Sequence, residues 1–271
     1  GGLVVNDTIS AEGNVDFLLD GVDGDVEING AIEAGESIQL RSDGNGGLVV
    51  NDTISAVGEV DMRASNGGLV VNDTISAQGD VDMRSRAFDN GGLSINGSIS
   101  AVGEVDLYTR SGGLEVTAPI SGQADIALRG DGNGGLVVND TISAVGEVDL
   151  RVSNGGLVVN DTISAEGDIE MRGATGTITT PCDLTAERGL CLFGRAAVSA
   201  TTTGAIEIGG PIQAATVQLS AGGDGLVVND VINAEGDVEM RVAGNGDGSL
   251  TVNDVINAEG NVGYYMAGAH G

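Results

Sequence analysis

The sequence predicts an all-β fold, a right-handed parallel β-helix of about twelve triangular coils of roughly 22 residues. Three observations carry that prediction. Near-copies of Gly47-Gly-Leu-Val-Val-Asn-Asp-Thr-Ile-Ser-Ala-Val-Gly-Glu-Val-Asp-Met-Arg63 recur along the 271-residue chain. Within each copy the apolar residues come in pairs spaced by two, the period of a strand with one face inward. The segments between the pairs are too short to hold a helix.

Leu48 serves as the zero of the repeat. Leu48 and Val50 mark a first strand, and Asn51-Asp52 a corner. Ile54 and Ala56 mark a second strand, and Val57-Gly58-Glu59 a second corner. Val60 and Met62 mark a third strand, closed by glycines. The same frame places zeros at Leu3, Val26, Leu48, Leu69, Leu93, Leu114, Leu136, Leu157, Ile178, Ile206, Leu226 and Leu250. Right-handed winding follows the general rule for parallel crossovers. Pro119 and Pro211 fall five residues after their zeros, at a strand entrance, where proline is tolerated. The divergent coil from Ile178 keeps the frame through Leu184, Ala186, Leu190 and Leu192.

The whole chain, 1–271, reads as one solenoid. Residues 1–173 hold eight regular coils, 174–225 are degenerate and contain both cysteines, and 226–271 hold two regular coils and a C-terminal segment. Aromatics make up 2% of the residues, which suits a narrow interior of Val, Ile, Leu and Ala. Cys182 and Cys191 fall on different sides of one coil, so they are expected as unpaired thiols rather than a bridge.

The formal net charge is −29, and all 11 basic residues are arginine. So acidic a surface argues against nucleic acid and against anionic membranes. No apolar run is long enough to span a bilayer. The chain opens on Gly1-Gly2-Leu3, already inside a repeat, and reads as a mature form or a fragment.

Stacking turns each repeat position into a ladder. Asn occupies the third place after the zero at Asn6, Asn29, Asn51, Asn72, Asn96, Asn139, Asn160, Asn229 and Asn253. Asn tolerates corner backbone, and stacked amides bond along the axis. Asn6, Asn51, Asn72, Asn96, Asn139 and Asn160 also read as glycosylation sequons, an alternative to the ladder. The outward third strand alternates acid and arginine, with Arg41, Arg63, Arg84, Arg129, Arg151, Arg172 and Arg241 in one slot. This is either a solvated charged face or a Ca²⁺-binding one, to which the corner acids Asp52, Asp73, Asp140 and Asp161 would contribute. Val4, Val49, Val70, Val137, Val158 and Val227 should point outward from the first strand, as a lateral-contact stripe or as plain β-propensity. Thr and Ser alternate outward on the second strand, as in Thr53-Ile54-Ser55. This resembles the Thr arrays of ice-binding β-helices.

No catalytic set is evident. There is no lysine, the sole histidine is His270, and short connections leave no cleft, so an enzyme is not expected. The pattern Leu-x-Val-x(3)-Ile-x-Ala-x-Gly-x-Val-x-Leu, as in Leu136 to Leu150, resembles the repeats of filamentous-haemagglutinin-type secreted adhesins. That resemblance implies a right-handed β-helix on a bacterial surface. The expected role is a structural subunit or segment of an extracellular filament, stacked on itself head to tail, with side-by-side contact through the valine stripe left open. The alternatives are the stalk of an adhesin and an ice-binding β-helix. Ca²⁺ is the one cofactor these residues suggest.

Overall fold

A computed structural model of the chain describes residues 2–20, 24–87, 91–167, 169–173, 178–180, 197–202, 206–208, 211–214, 216–221, 225–244 and 248–268. The chain divides into two compact units, residues 1–134 and 135–271. Each is a parallel β-solenoid.

In the first unit six coils each contribute three strands, and every column is parallel. The coil at Leu48 shows the plan with strands Leu48–Val50, Ile54–Ala56 and Val60–Ala64. Successive coils sit in register, Leu48 on Leu69, Ile54 on Ile75 and Val60 on Val81. The frame read from the sequence is therefore the register of the sheets. The second unit repeats the plan from Leu136–Val138, Ile142–Ala144 and Val148–Val152.

The coil count differs slightly from twelve. All three strands are present in the six coils of the first unit and in five of the second. Among the described residues the coil at Ile178 shows two, Ile178–Thr180 and Ala197–Thr202. Leu184, Ala186, Leu190, Leu192, Cys182, Cys191 and His270 lie outside the described residues.

The core is the inward row of each column. Leu48, Val50, Ile54, Val60 and Met62 are at most 1% exposed. Burying each such side chain is worth about 1.5–3 kcal/mol. No coil achieves this alone, because the cover comes from the coils on either side. Coil 1 demonstrates it: Leu3, Val5 and Ile9, with a neighbour on one side only, are half-buried.

The third strand extends further than its apolar pair implied. It runs to a fifth residue, whose side chain also faces inward. Ser42, Ser85 and Thr109 occupy that place fully buried. Their hydroxyls are matched: Ser85 Oγ donates to Gly91 O at 2.9 Å, and Thr109 Oγ1 to Ser111 O at 2.6 Å. A buried hydroxyl without such a partner would be costly.

The corner after the third strand is built from stacked glycines. A Cβ on Gly67 would lie 2.3 Å from the backbone N of Gly47. At Gly112 the backbone also adopts φ 78°, a conformation side chains rarely accept.

Candidate functional site: the outward ladders

Because coils repeat in register, outward side chains form columns one strand spacing apart, about 4.8 Å. Four columns carry specific chemistry.

The first-corner asparagines form an amide ladder. Asn29 Nδ2 donates to Asn6 Oδ1 at 3.0 Å, Asn51 to Asn29 at 2.7 Å, Asn72 to Asn51 at 2.7 Å and Asn96 to Asn72 at 2.8 Å. In the second unit Asn160 donates to Asn139 at 2.7 Å and Asn253 to Asn229 at 2.8 Å. The ladder lies on the outside of the corner. The sequon residues Asn6, Asn51, Asn72, Asn96, Asn139 and Asn160 have exposed side chains. Of these, Asn51, Asn72, Asn96 and Asn160 use Nδ2 as the rung donor. A further amide pair, Asn257 to Asn233 at 2.8 Å, stands on the second strand.

The corner acids serve the backbone. Asp52 Oδ1 accepts from Thr53 N at 2.7 Å, Asp73 from Thr74 N at 2.6 Å, Asp140 from Thr141 N at 2.7 Å and Asp161 from Thr162 N at 2.6 Å. Each carboxylate satisfies the N–H that enters the second strand, a local bond Asp readily makes. Among the described residues no group of three or more His, Cys, Asp or Glu side chains comes together to hold a metal ion.

The third-strand charges interlock. Arg63 Nε donates to Asp61 Oδ1 of its own coil at 2.8 Å, and its Nη2 reaches Asp82 Oδ2 of the next at 3.6 Å. Arg84 repeats this with Asp82 at 2.7 Å and Asp106 at 3.1 Å. Arg41 reaches forward to Asp61 at 2.8 Å. Arg151 bridges Asp149 at 2.7 Å and Glu170 at 3.1 Å. Arg41, Arg63, Arg84 and Arg151 are thus staples between coils, and over these coils the face is a zipper. The bonds show in the acid–base balance. The hydrogen bond to Asp61 raises the Arg41 pKa, and the bond to Asp149 raises that of Arg151. Burial pushes the Asp82 carboxyl above its ordinary range, against the pull of Arg84. At Arg41 the zipper has a gap: Gln39 stands in the own-coil acid slot, and the buried Arg41 Nε has no hydrogen-bond partner. Tyr108 takes the arginine slot of its coil and donates to Asp131 Oδ2 at 2.9 Å.

The fourth column, at the second corner, is not marked by any apolar signal. Its residue accepts the N–H of the equivalent residue one coil on. Ser37 N donates to Asn14 Oδ1 at 2.9 Å, Glu59 N to Ser37 Oγ at 3.2 Å and Glu104 N to Asp80 Oδ1 at 2.8 Å. The recurrence of Asn, Ser and Asp just before the third strand was the available clue.

The first-strand valines face outward, but flanking coils half-cover Val49, Val70, Val137, Val158 and Val227; Val4, on the end coil, is 54% exposed. They adjoin one another in pairs, Val49 with Val70 and Val137 with Val158. Glu27 stands between Val4 and Val49, and Ser94 follows Val70. On the second strand Ser55, Ser76 and Ser100 align, with Glu33 next to Ser55.

No family model matches the chain, and no curated protein or solved structure matches it. Fold and ladders define its class: a β-solenoid repeat protein, stabilised coil on coil by amide, carboxylate and arginine columns.

Proposed function

We propose that this chain is a structural element, a segment or subunit of an extracellular filament that lengthens by adding coil to coil. The observation that carries the reading is the register: near-identical coils stack parallel, residue on residue, so that each coil presents to the next the same contacts it makes with the one before. Parallel strand pairing of this kind is a template for further pairing, and a head-to-tail contact generates an open filament. The columns suit a mechanical role, because they tie neighbouring coils together.

A second reading is the stalk of a secreted surface adhesin. It rests on the Leu136 to Leu150 pattern, which resembles filamentous-haemagglutinin-type repeats. In both readings the protein acts outside the cell, performs no catalysis, and has copies of itself as its first partner. The net charge of −29 supports a partner other than nucleic acid or anionic lipid.

Electron microscopy and light scattering of the purified chain across a concentration series test the filament reading. Filaments or a concentration-dependent rise in mass are expected. A monodisperse monomer at high concentration overturns the reading.

A further inference from the structure

In a chain of net charge −29, the second-strand face of the first unit is uncharged over four successive coils. The strands of those coils and the residues that flank them, 53–57, 74–78, 98–102 and 119–123, include no acid and no arginine. Their outward side chains form three columns. Ser55, Ser76, Ser100 and Ser121 fill the middle one, in register and exposed. Thr53 and Thr74 begin the column nearer the asparagine ladder. The third column alternates Val57, Gln78, Val102 and Gln123, and its valines are 55% and 49% exposed. The first-strand face offers less: its interior valines are half-covered, and Glu27 and Glu115 interrupt the column. The third-strand face is occupied by the arginine zipper.

An uncharged face is where two copies of so acidic a molecule can approach without repulsion. Its columns repeat at the strand spacing of about 4.8 Å, and a second copy presents the same groups at the same pitch. Resting on the filament reading above, we propose that the second-strand face is a lateral contact, packed against the same face of a second copy in a neighbouring filament.

The rims of the face set the orientation. Glu59, Asp80 and Glu104 stand exposed along the second-corner side, and Asn51, Asn72 and Asn96 along the first-corner side. The acids on the first-corner side, Asp52 and Asp73, are half-buried and hold backbone N–H groups, and the next two coils have Gly97 and Ala118 in that place. A two-fold axis parallel to the solenoid axis lays the acid rim of one copy beside the amide ladder of the other, with Val57 of one over Thr53 of the other. A two-fold across the solenoid axis sets acid rim on acid rim, and like charges repel. The paired filaments therefore point the same way. Four coils of five residues give a contact of about 250 Å² per copy, well under the roughly 800 Å² per partner of a stable dimer. Single copies stay apart, and pairing sets in once a filament aligns many such faces.

Glu12, Glu166 and Glu235 hold the Val57 slot in other coils, so Val57→Glu leaves the coil foldable. The experiment images filaments of wild type, Val57→Glu, Thr53→Arg/Val57→Glu and Val57→Glu/Ser94→Arg by electron microscopy, with circular dichroism confirming each fold. Wild-type filaments are expected in parallel pairs. Val57→Glu lowers the paired fraction about five- to ten-fold at low salt. Adding Thr53→Arg restores the pairs, because in the parallel arrangement it faces Val57→Glu of the other copy. Adding Ser94→Arg gives the same net charge from the first-strand face and restores nothing. If all four pair alike, or Ser94→Arg rescues as well as Thr53→Arg, the face is overturned. If neither arginine rescues, the parallel arrangement is overturned. Wild-type filaments that stay single overturn the contact while the filament reading stands. If wild type forms no filaments, the filament reading falls first and this one with it.

Discussion

Asp61 is the most deeply held charge among the described residues, 6% exposed, and it serves two coils at once. Its Oδ2 accepts from Arg41 and its Oδ1 from Arg63, each at 2.8 Å. Asp61→Asn keeps the shape and removes the charge. Each lost charge-assisted bond is worth about 1.5–3 kcal/mol. The full sum is not expected, because the arginine side chains are 31% and 28% exposed and solvent compensates them in part. Arg63 also keeps Asp82 at 3.6 Å. The expected cost is about 2–3 kcal/mol, which lowers the midpoint of thermal unfolding by about 4–10 °C. Glu59→Gln is the control, since Glu59 is exposed, and it should cost about 0.5 kcal/mol or less. Urea titration followed by circular dichroism measures both variants. Hydrogen exchange across residues 38–64 should show the loss localised to the coils that Asp61 joins. If Asp61→Asn costs no more than Glu59→Gln, the zipper is not a stabilising device and the argument fails.

Three further outcomes are expected. Gln39→Asp supplies an acceptor to the buried Arg41 Nε, as Asp61 does for Arg63, and should raise stability by about 1 kcal/mol in the same titration. Gly67→Ala places a Cβ 2.3 Å from Gly47 N, backbone that cannot swing aside, and should cost about 3 kcal/mol or more, read as a lowered urea midpoint or loss of soluble protein. Burial raises the Asp82 carboxyl above the ordinary aspartate range, so the folded state binds its proton more tightly than the unfolded state does. Its contribution to stability is therefore full below the ordinary carboxylate range and is lost as pH rises through the raised folded pKa. On acidification from neutral pH, wild type should gain stability relative to Asp82→Asn; a gap that moves the other way refutes the assignment.

What the sequence determined by itself was everything periodic. Apolar pairs two apart could bury one face only as strands, and a 21-residue step from Leu48 to Leu69 could align like with like only as stacked coils. The Asn column followed, because identical residues at identical places in a parallel stack must be neighbours. The tertiary structure decided how outward residues use those neighbours. Asp52 and Asp61 are both acids nine residues apart in one coil. Asp52 lies beside the Thr53 N–H and caps it, while Asp61 lies between two guanidinium groups and is buried by them. Likewise Ser42 and Ser85 look like surface serines until the third strand is seen to run two residues past its last apolar one. The physical reason is common to these cases. Periodicity fixes which face a backbone position occupies, but burial and partner depend on the side chains of the coils above and below, and those meet only when the chain is wound.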